Sequence, residues 1–374
     1  MTQTIRIAGA GISGLSAAIS IAQGDNGRHI EVRDKASSYH AKKARGINAL
    51  RNYQSETDVL EEYRQLGFKF QKGSVFHPIH NQIYYIDSDH YFDVTSDKKP
   101  LFYSVARGTE ESIDALLVEQ AEKLGTDIRW GKTFTGEIPD ILATGAKYKH
   151  CFGYGQHFVD VNETDTIIIL QNSKYSPFGY ACYLPSANNE ASVILGSFHS
   201  SHPTSKNIKQ NYSRIVKEIP VFRDYLAGAS VKHPLSGRGN FGIPNSAIQG
   251  KSLLVGERAG FLEAFRGFGI HAALLSGYAA GKTLVNGKNY DHQWQLLLSK
   301  ILHRGLLRRM AENELNIGSE DMLRELAAQL PRKINYGMFR RALQEQEKKM
   351  LGNLAPNKLS LLTQAVEQWN REYW

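Results

Sequence analysis

The 374-residue chain has only two cysteines, Cys151 and Cys182, far apart and without a CxxC. That scarcity excludes a disulfide framework and a cysteine-built zinc site, and a reducing cytoplasm is the compartment it fits. No run of about 18 apolar residues occurs, so no bilayer-spanning helix is expected. The opening stretch MTQTIRIAGAG has no basic segment, apolar core or small-residue cleavage site, and no secretory signal is expected there. Zinc-finger spacing, an RNP-type aromatic run and a helix-turn-helix signature are also missing, which argues against nucleic acid as a partner. Neither an internal repeat nor a low-complexity segment is found. What is present is a globular composition: 41% hydrophobic residues suffice for sizeable cores, and a formal charge of +8 points to an anionic partner, phosphorylated small molecules included.

Thr4 to Ala8 alternates as a short buried strand, Ser13 to Ala22 follows as a small-residue helix, and Ile30 to Arg33 reads as a second strand. Between the first two stands Gly9-Ala10-Gly11-Ile12-Ser13-Gly14, with Asp34 about 20 residues on, the fingerprint of a dinucleotide-binding βαβ unit. Gly9 permits the tight turn, Gly11 lets backbone approach a pyrophosphate, and Gly14 lets the helix pack on the strand. The free N–H groups at the helix start then face the phosphates. Asp34 is expected to accept from ribose hydroxyls. The fingerprint alone does not separate FAD from NAD, which present the same ribose and pyrophosphate.

Further along, Ala36 to Tyr53 reads as a basic, loop-rich stretch and Thr57 to Leu66 as helical. Ser74 to Val94 alternates aromatic and polar residues like antiparallel strands, and Glu111 to Leu124 is helical. Short strands are expected at Thr126 to Trp130 and Asp140 to Thr144, strands and turns over Phe158 to Phe198, a strand at Leu253 to Val255 and a helix over Gly269 to Leu284. From Asp291 nearly everything reads as helical, with basic clusters.

Three segments carry a family resemblance. Asp140-Ile-Leu-Ala-Thr-Gly145 resembles the strand that returns the chain to the FAD domain in the p-hydroxybenzoate hydroxylase superfamily of flavoproteins. Leu253-Leu-Val-Gly-Glu-Arg-Ala-Gly260, continued by Gly267-Phe-Gly269-Ile-His, is similar to its second FAD motif, GDAAG followed by GxGI. Tyr180-Ala-Cys-Tyr-Leu-Pro185 resembles the YxWxFP segment of the geranylgeranyl reductase branch. Order and spacing agree over residues 1 to about 285. The sequence departs from the pattern at Glu257 and Arg258, which replace Asp and Ala, and at Glu263-Ala264-Phe265-Arg266, which replaces the customary Asp-Pro.

The resemblance implies an α/β fold, α+β overall, in which a Rossmann-type FAD-binding domain is interrupted by an antiparallel-sheet substrate domain and followed by a helical C-terminal region. Its expected parts are 1–73, 104–150 and 241–290 for FAD binding, 74–103 and 151–240 for substrate, and 291–374 for the helical region. FAD is expected at Gly9, Gly11, Ser13, Gly14, Asp34, Lys35, Arg45, Arg107, Gly145, Gly256, Glu257, Gly267, Gly269 and Ile270. Glu257 would accept from the ribityl chain, and the helix starting near Gly269 would aim its N–H groups at the isoalloxazine carbonyl. Tyr180, Cys182 and Tyr183 are the pocket candidates; no metal site is expected, and His77, His80 and His90 are read as surface or pocket-lining.

The implied activity is reduction of carbon–carbon double bonds in a hydrophobic, isoprenoid-like substrate, with NADPH or another reductant as transient electron donor. Two alternatives remain: a class A monooxygenase acting on an aromatic or polycyclic compound, and a non-catalytic protein of the same fold. The basic tail, including Arg304, Arg308, Arg309 and Arg332, has two readings as well: a cap whose charges face water, or peripheral contact with anionic lipid. The oligomeric state is not legible.

Overall fold

The computed structural model of the protein describes residues 3–24, 27–41, 45–53, 55, 57–198, 205–315, 318–352 and 356–374. In chain order the first elements are β1 (Thr4–Ala8), α1 (Ile12–Gly24), β2 (His29–Asp34), β3 (Gly46–Arg51), α2 (Val59–Gln65), β4 (Phe76–Ile79), β5 (Asn81–Tyr85), β6 (Tyr91–Thr95), β7 (Phe102–Arg107), α3 (Ile113–Lys123), β8 (Asp127–Trp130) and β9 (Ile141–Leu142). Then come β10 (Cys151–Val159), β11 (Thr166–Leu170), β12 (Gly179–Pro185), β13 (Glu190–Ser197), α4 (Ser205–Glu218), α5 (Pro220–Tyr225), β14 (Ser230–Gly239), β15 (Ile248–Gln249), β16 (Ser252–Leu254) and α6 (Ile270–Asn286). The last are α7 (Tyr290–Leu315), α8 (Ser319–Gln329), β17 (Lys333–Asn335), α9 (Tyr336–Gly352) and α10 (Pro356–Tyr373).

β1 alternates, with Ile5 and Ile7 buried and Thr4, Arg6 and Ala8 half-buried, at the centre of a parallel sheet. It pairs with β2 on one side, Ile7 opposite Val32, and with β9 on the other, Ile7 opposite Ile141. The six-stranded sheet runs β15-β16-β9-β1-β2-β8, parallel except at the β15 edge. Helices α1 and α6 cross so closely that a Cβ on Gly277 would lie 2.2 Å from the Ser13 carbonyl oxygen. Ser16 and Ser20 hydroxyls, which would otherwise be buried without partners, donate across the crossing to the carbonyls of Leu274 and Tyr278.

The eight-stranded sheet runs β14-β10-β13-β12-β11-β5-β6-β17. Its side chains alternate between two faces, as the two-residue period dictates, with a register shift at His157/Phe158 where β10 meets β14. Ile168, Leu170, Tyr183, Val193 and Leu195 form one core with Ile208, Tyr212, Ile215 and Phe222 of α4 and α5. Ile167, Ile169, Cys182, Leu184 and Ile194 face the other way, toward the nucleotide half.

Three local readings of the sequence are corrected. The stretch taken as loop, Ala36 to Tyr53, contains β3, which pairs with β7 (Ile47 opposite Ala106) in a small β3-β7-β4 sheet; its partner lies far along the chain, so no local hairpin signal marks it. The aromatic strands of Ser74 to Val94 divide between two sheets, β4 entering the small one and β5 and β6 the large one. The helical tail is interrupted by β17, whose buried Ile334 sits in parallel register with Val94 of β6. Helices α4 and α5, unmarked in the sequence reading, cover the outer face of the large sheet. Among the described residues no helix is long and apolar enough to cross a membrane.

Candidate active site

The glycines of the first motif are required for different reasons. A Cβ on Gly9, which has φ +108°, would lie 2.3 Å from the Ala143 carbonyl oxygen, and one on Gly14 only 1.9 Å from the Gly9 carbonyl oxygen. Both positions are closed by the chain itself. A Cβ on Gly11 would meet nothing within 4 Å, so the open space there lies beside the start of α1. Helix hydrogen bonding begins with Leu15 N–H to Gly11 C=O at 2.9 Å, and the first-turn N–H groups before it have no intrahelical acceptor. Asp34 is already engaged: its carboxylate accepts from Ala10 N–H at 2.8 Å and Ala36 N–H at 2.9 Å, tying the glycine turn to the end of β2. Ser13 is buried under this turn, with Gly256 so close that a Cβ there would lie 2.7 Å from the Ser13 Oγ. Lys35 is exposed, and Gly145 is an exposed residue in the left-handed region just past β9.

Between the nucleotide half and the inner face of the large sheet lies a cavity of about 330 Å³. One wall is apolar: Ile167 and Ile169 of β11, Tyr180, Cys182 and Leu184 of β12, and Ile194 of β13. Asn48, Ala49, Phe102 and Arg107 of the small sheet close a second side. Opposite stand Glu257 and the loop Gly267-Phe268-Gly269 leading into Ile270 of α6. Gly269 is the N-cap of α6 and supplies no side-chain acceptor, which leaves the first-turn N–H groups to the cavity side. Arg45 lines the same space, donating to the His40 carbonyl at 2.6 Å.

Burial and ion pairing set the electrostatics at this rim. Arg107 makes a two-pronged pair with the buried Asp114, at 2.7 and 3.0 Å. Burial pushes the Glu257 carboxyl up to about 7, with Arg107 pulling in the opposite direction. Burial also pushes both cysteine thiols, Cys151 and Cys182, up to about 12, so neither is a thiolate nucleophile at neutral pH. Tyr180 is held well above the ordinary phenol range by burial and donates its hydroxyl to the Arg266 carbonyl.

The structure separates the three pocket candidates. Tyr180 and Cys182 line the cavity; Tyr183, one residue out of phase, points into the opposite core and donates to the Glu163 carbonyl. His77, His80 and His90 bond to the Thr164 carbonyl, the Ser96 carbonyl and Asp87, and none lines the cavity. Asn48, Phe102, Phe198 and Phe268 are wall residues the sequence reading missed. For Asn48 the lost signal is β3 itself.

The loop that departs from the family pattern is held by side chains in place of proline. Glu263 accepts from the N–H groups of Phe265 at 2.9 Å and Arg266 at 3.1 Å, and its carbonyl accepts from Gly267 at 2.8 Å. Arg309 of α7, 1% exposed, donates to the carbonyls of Ala264, Phe265 and Phe178 and pairs with the buried Glu312 at 2.6 Å. One member of the basic tail, Arg309, is therefore structural and faces neither water nor lipid headgroups, whereas Arg332 stays exposed while donating to the carbonyls of Tyr91 and Asp89.

A Rossmann-type sheet joined to a large, mostly antiparallel sheet, with a cavity between them, is the fold seen in p-hydroxybenzoate hydroxylase-like flavoproteins. Solved structures with this fold cover the chain almost end to end. A geranylgeranyl bacteriochlorophyll reductase-like protein from Thermoplasma acidophilum has a TM-score of 0.75 at 16% identity, over 97% of this chain and 100% of that one. The flavin-dependent brominase Bmp2 has a TM-score of 0.62 at 13% identity, over 100% of both chains. The myxobacterial chondrochloren halogenase CndH, a variant of FAD-dependent halogenases, has a TM-score of 0.58 at 16% identity, over 94% of this chain and 91% of that one. No protein family and no curated protein sequence matches the chain. The resemblance read from the three motifs thus holds at the level of fold.

Proposed function

We propose that the chain is an FAD-dependent reductase of carbon–carbon double bonds in an apolar, isoprenoid-like substrate. The observation that carries this reading is the cavity, in which a continuous apolar wall faces Glu257 and the N-terminus of α6 across one shared space. The residues present fit the cofactor: Gly11 leaves room beside the free N–H groups of α1 for a pyrophosphate, and Glu257 stands where a hydroxylated chain would be accepted. The α6 N-terminus would favour negative charge on the ring system. Bound and reduced, FAD supplies the hydride.

The chain's own residues do the rest. Ile167, Ile169, Leu184, Ile194, Phe102 and Phe198 exclude water and bind an alkene by apolar contact. Cys182 and Tyr180 on the same wall keep their protons through the neutral range and are the groups that can protonate the second carbon.

The test is direct. Protein loaded with FAD and reduced without oxygen is offered isoprenoid alkenes, and saturated product is expected in the absence of oxygen. An oxygenated product formed only when oxygen is admitted would move the site to the monooxygenase reading. A protein that takes up no FAD would remove both.

A further inference from the structure

Helix α7 has two unlike faces. Trp294, Leu298, Leu302, Leu306 and Met310, spaced four apart, are buried in the core of the nucleotide half. The opposite stripe, Leu296, Lys300, His303 and Leu307, recurs at three- and four-residue intervals and is exposed, with Leu297 beside it. Leu296 is 70% exposed, Leu297 40% and Leu307 41%, so three large apolar side chains share about 16 Å of one helix surface. A single exposed leucine needs no explanation; three together on one stripe do.

The charge on this stripe has one sign. Between Asp291 and Glu312 the helix carries no acid, while Lys300, His303 and Arg304 are exposed. Lys300 makes no ion pair among the described residues. Positive charge continues onto α9, where Arg340 is exposed as well. Burial, then Tyr53, push the Tyr336 hydroxyl up to about 12, and Arg340 of α9 and Arg304 of α7 both draw it back, which puts the two cations beside one ring.

Leucines interleaved with cations on a helix surface match the boundary of an anionic bilayer, where apolar side chains enter the acyl region and cationic heads stay among the headgroups. A second copy of the chain fits less well, because a twofold contact through this stripe would set Lys300 of one chain against the same charge on the other. We propose that α7 lays its exposed face on an anionic lipid surface, with Leu296, Leu297 and Leu307 in the acyl boundary and Lys300 and Arg340 at the headgroups. The helix stays docked to the protein through its buried face and crosses nothing. That inner side also carries Arg309, which holds the Ala264 and Phe265 carbonyls, so the lipid-facing stripe and the support of the cavity loop share one helix. The docking surface stands without the reductase reading; under that reading, it brings the site to where an isoprenoid-like substrate dissolves.

Vesicle flotation of the FAD-loaded protein tests this with phosphatidylcholine alone and with about one third phosphatidylglycerol added. Binding is expected on the anionic vesicles only, and should weaken as salt is raised. Leu296→Asn combined with Leu307→Asn should weaken it at least tenfold, and Lys300→Ser or Arg340→Ser about fivefold each, with melting temperature and FAD content unchanged. Val231→Asn, at an exposed site of β14 on the other edge of the large sheet from β17, should bind like the parent. Equal binding to neutral vesicles, no binding to either kind, or undiminished binding of the leucine variant would overturn the proposal. So would a parent dimer in light scattering that the leucine variant dissolves, which would assign the stripe to a second copy. None of these readouts needs turnover: a protein inactive on alkenes that still floats with anionic vesicles keeps this surface, and one active on alkenes that never floats loses it.

Discussion

The two glycine-rich turns of the nucleotide half reach similar ends by different means. At Gly9 to Gly14 the main chain sets the shape, with the Asp34 carboxylate tying it to β2: two glycines are demanded by carbonyl oxygens within 2.3 Å of where a Cβ would be, and the third is open toward a ligand. At Glu263 to Gly269 the shape is imposed by side chains, one of them Arg309 from a helix about 45 residues later. The first turn is therefore intolerant of any side chain at two positions, while the second tolerates an unusual sequence as long as its supporting charges are intact. Loss of a loop proline costs little where a buried carboxylate and a guanidinium hold the same carbonyls and N–H groups.

Substitutions can break this contrast. The largest effect is expected from Arg309→Met, which strips three carbonyls of their donor and leaves Glu312 buried without its cation; a loss of about 3–5 kcal/mol in urea unfolding is expected. Stability within 1 kcal/mol of the parent would mean the second turn holds itself. Gly14→Ala should cost about 3 kcal/mol by forcing a methyl against the Gly9 carbonyl, whereas Gly11→Ala should unfold within about 0.5 kcal/mol of the parent yet weaken FAD binding at least tenfold. Equal FAD affinity in Gly11→Ala would sink the assignment of that opening to the pyrophosphate.

Smaller effects sharpen the comparison. The Glu257 carboxyl lies near 7 against an ordinary 4.5, so between those values the folded protein keeps a proton the unfolded chain has released. Stability of the ligand-free protein should therefore fall as pH rises from about 4.5 to 7 and level off above. Glu257→Gln should flatten this slope and be more stable at pH 8 by about 1 kcal/mol, checked by melting curves across pH. Smallest of all, Tyr183→Phe should lose about 1 kcal/mol with its hydrogen bond to Glu163 and leave activity unchanged, whereas a large loss of turnover in that variant would return Tyr183 to the cavity.

What the sequence disclosed follows the same divide. The βαβ unit was legible because strand alternation, glycine spacing and Asp34 are local signals, and each acts within about 30 residues. The apolar wall was half legible: Tyr180 and Cys182 were found, but without knowing which face of β12 looks inward Tyr183 could not be told from them. Strand β3 was hidden because its partner β7 lies some 55 residues on and GINALR lacks clean alternation. Arg309 was hidden for the opposite reason: in a run of basic residues on a long helix nothing local distinguishes the one that turns inward from those facing water.

The pairing of β17 with β6 bears on how the protein assembles. Ile334 meets Val94 in a parallel ladder, a contact between residues about 240 positions apart, and such long-range pairings close slowly because the intervening chain must first be ordered. Helices α8 and α9 flank this strand in the chain, so their seating on the large sheet is completed only when β17 closes on β6.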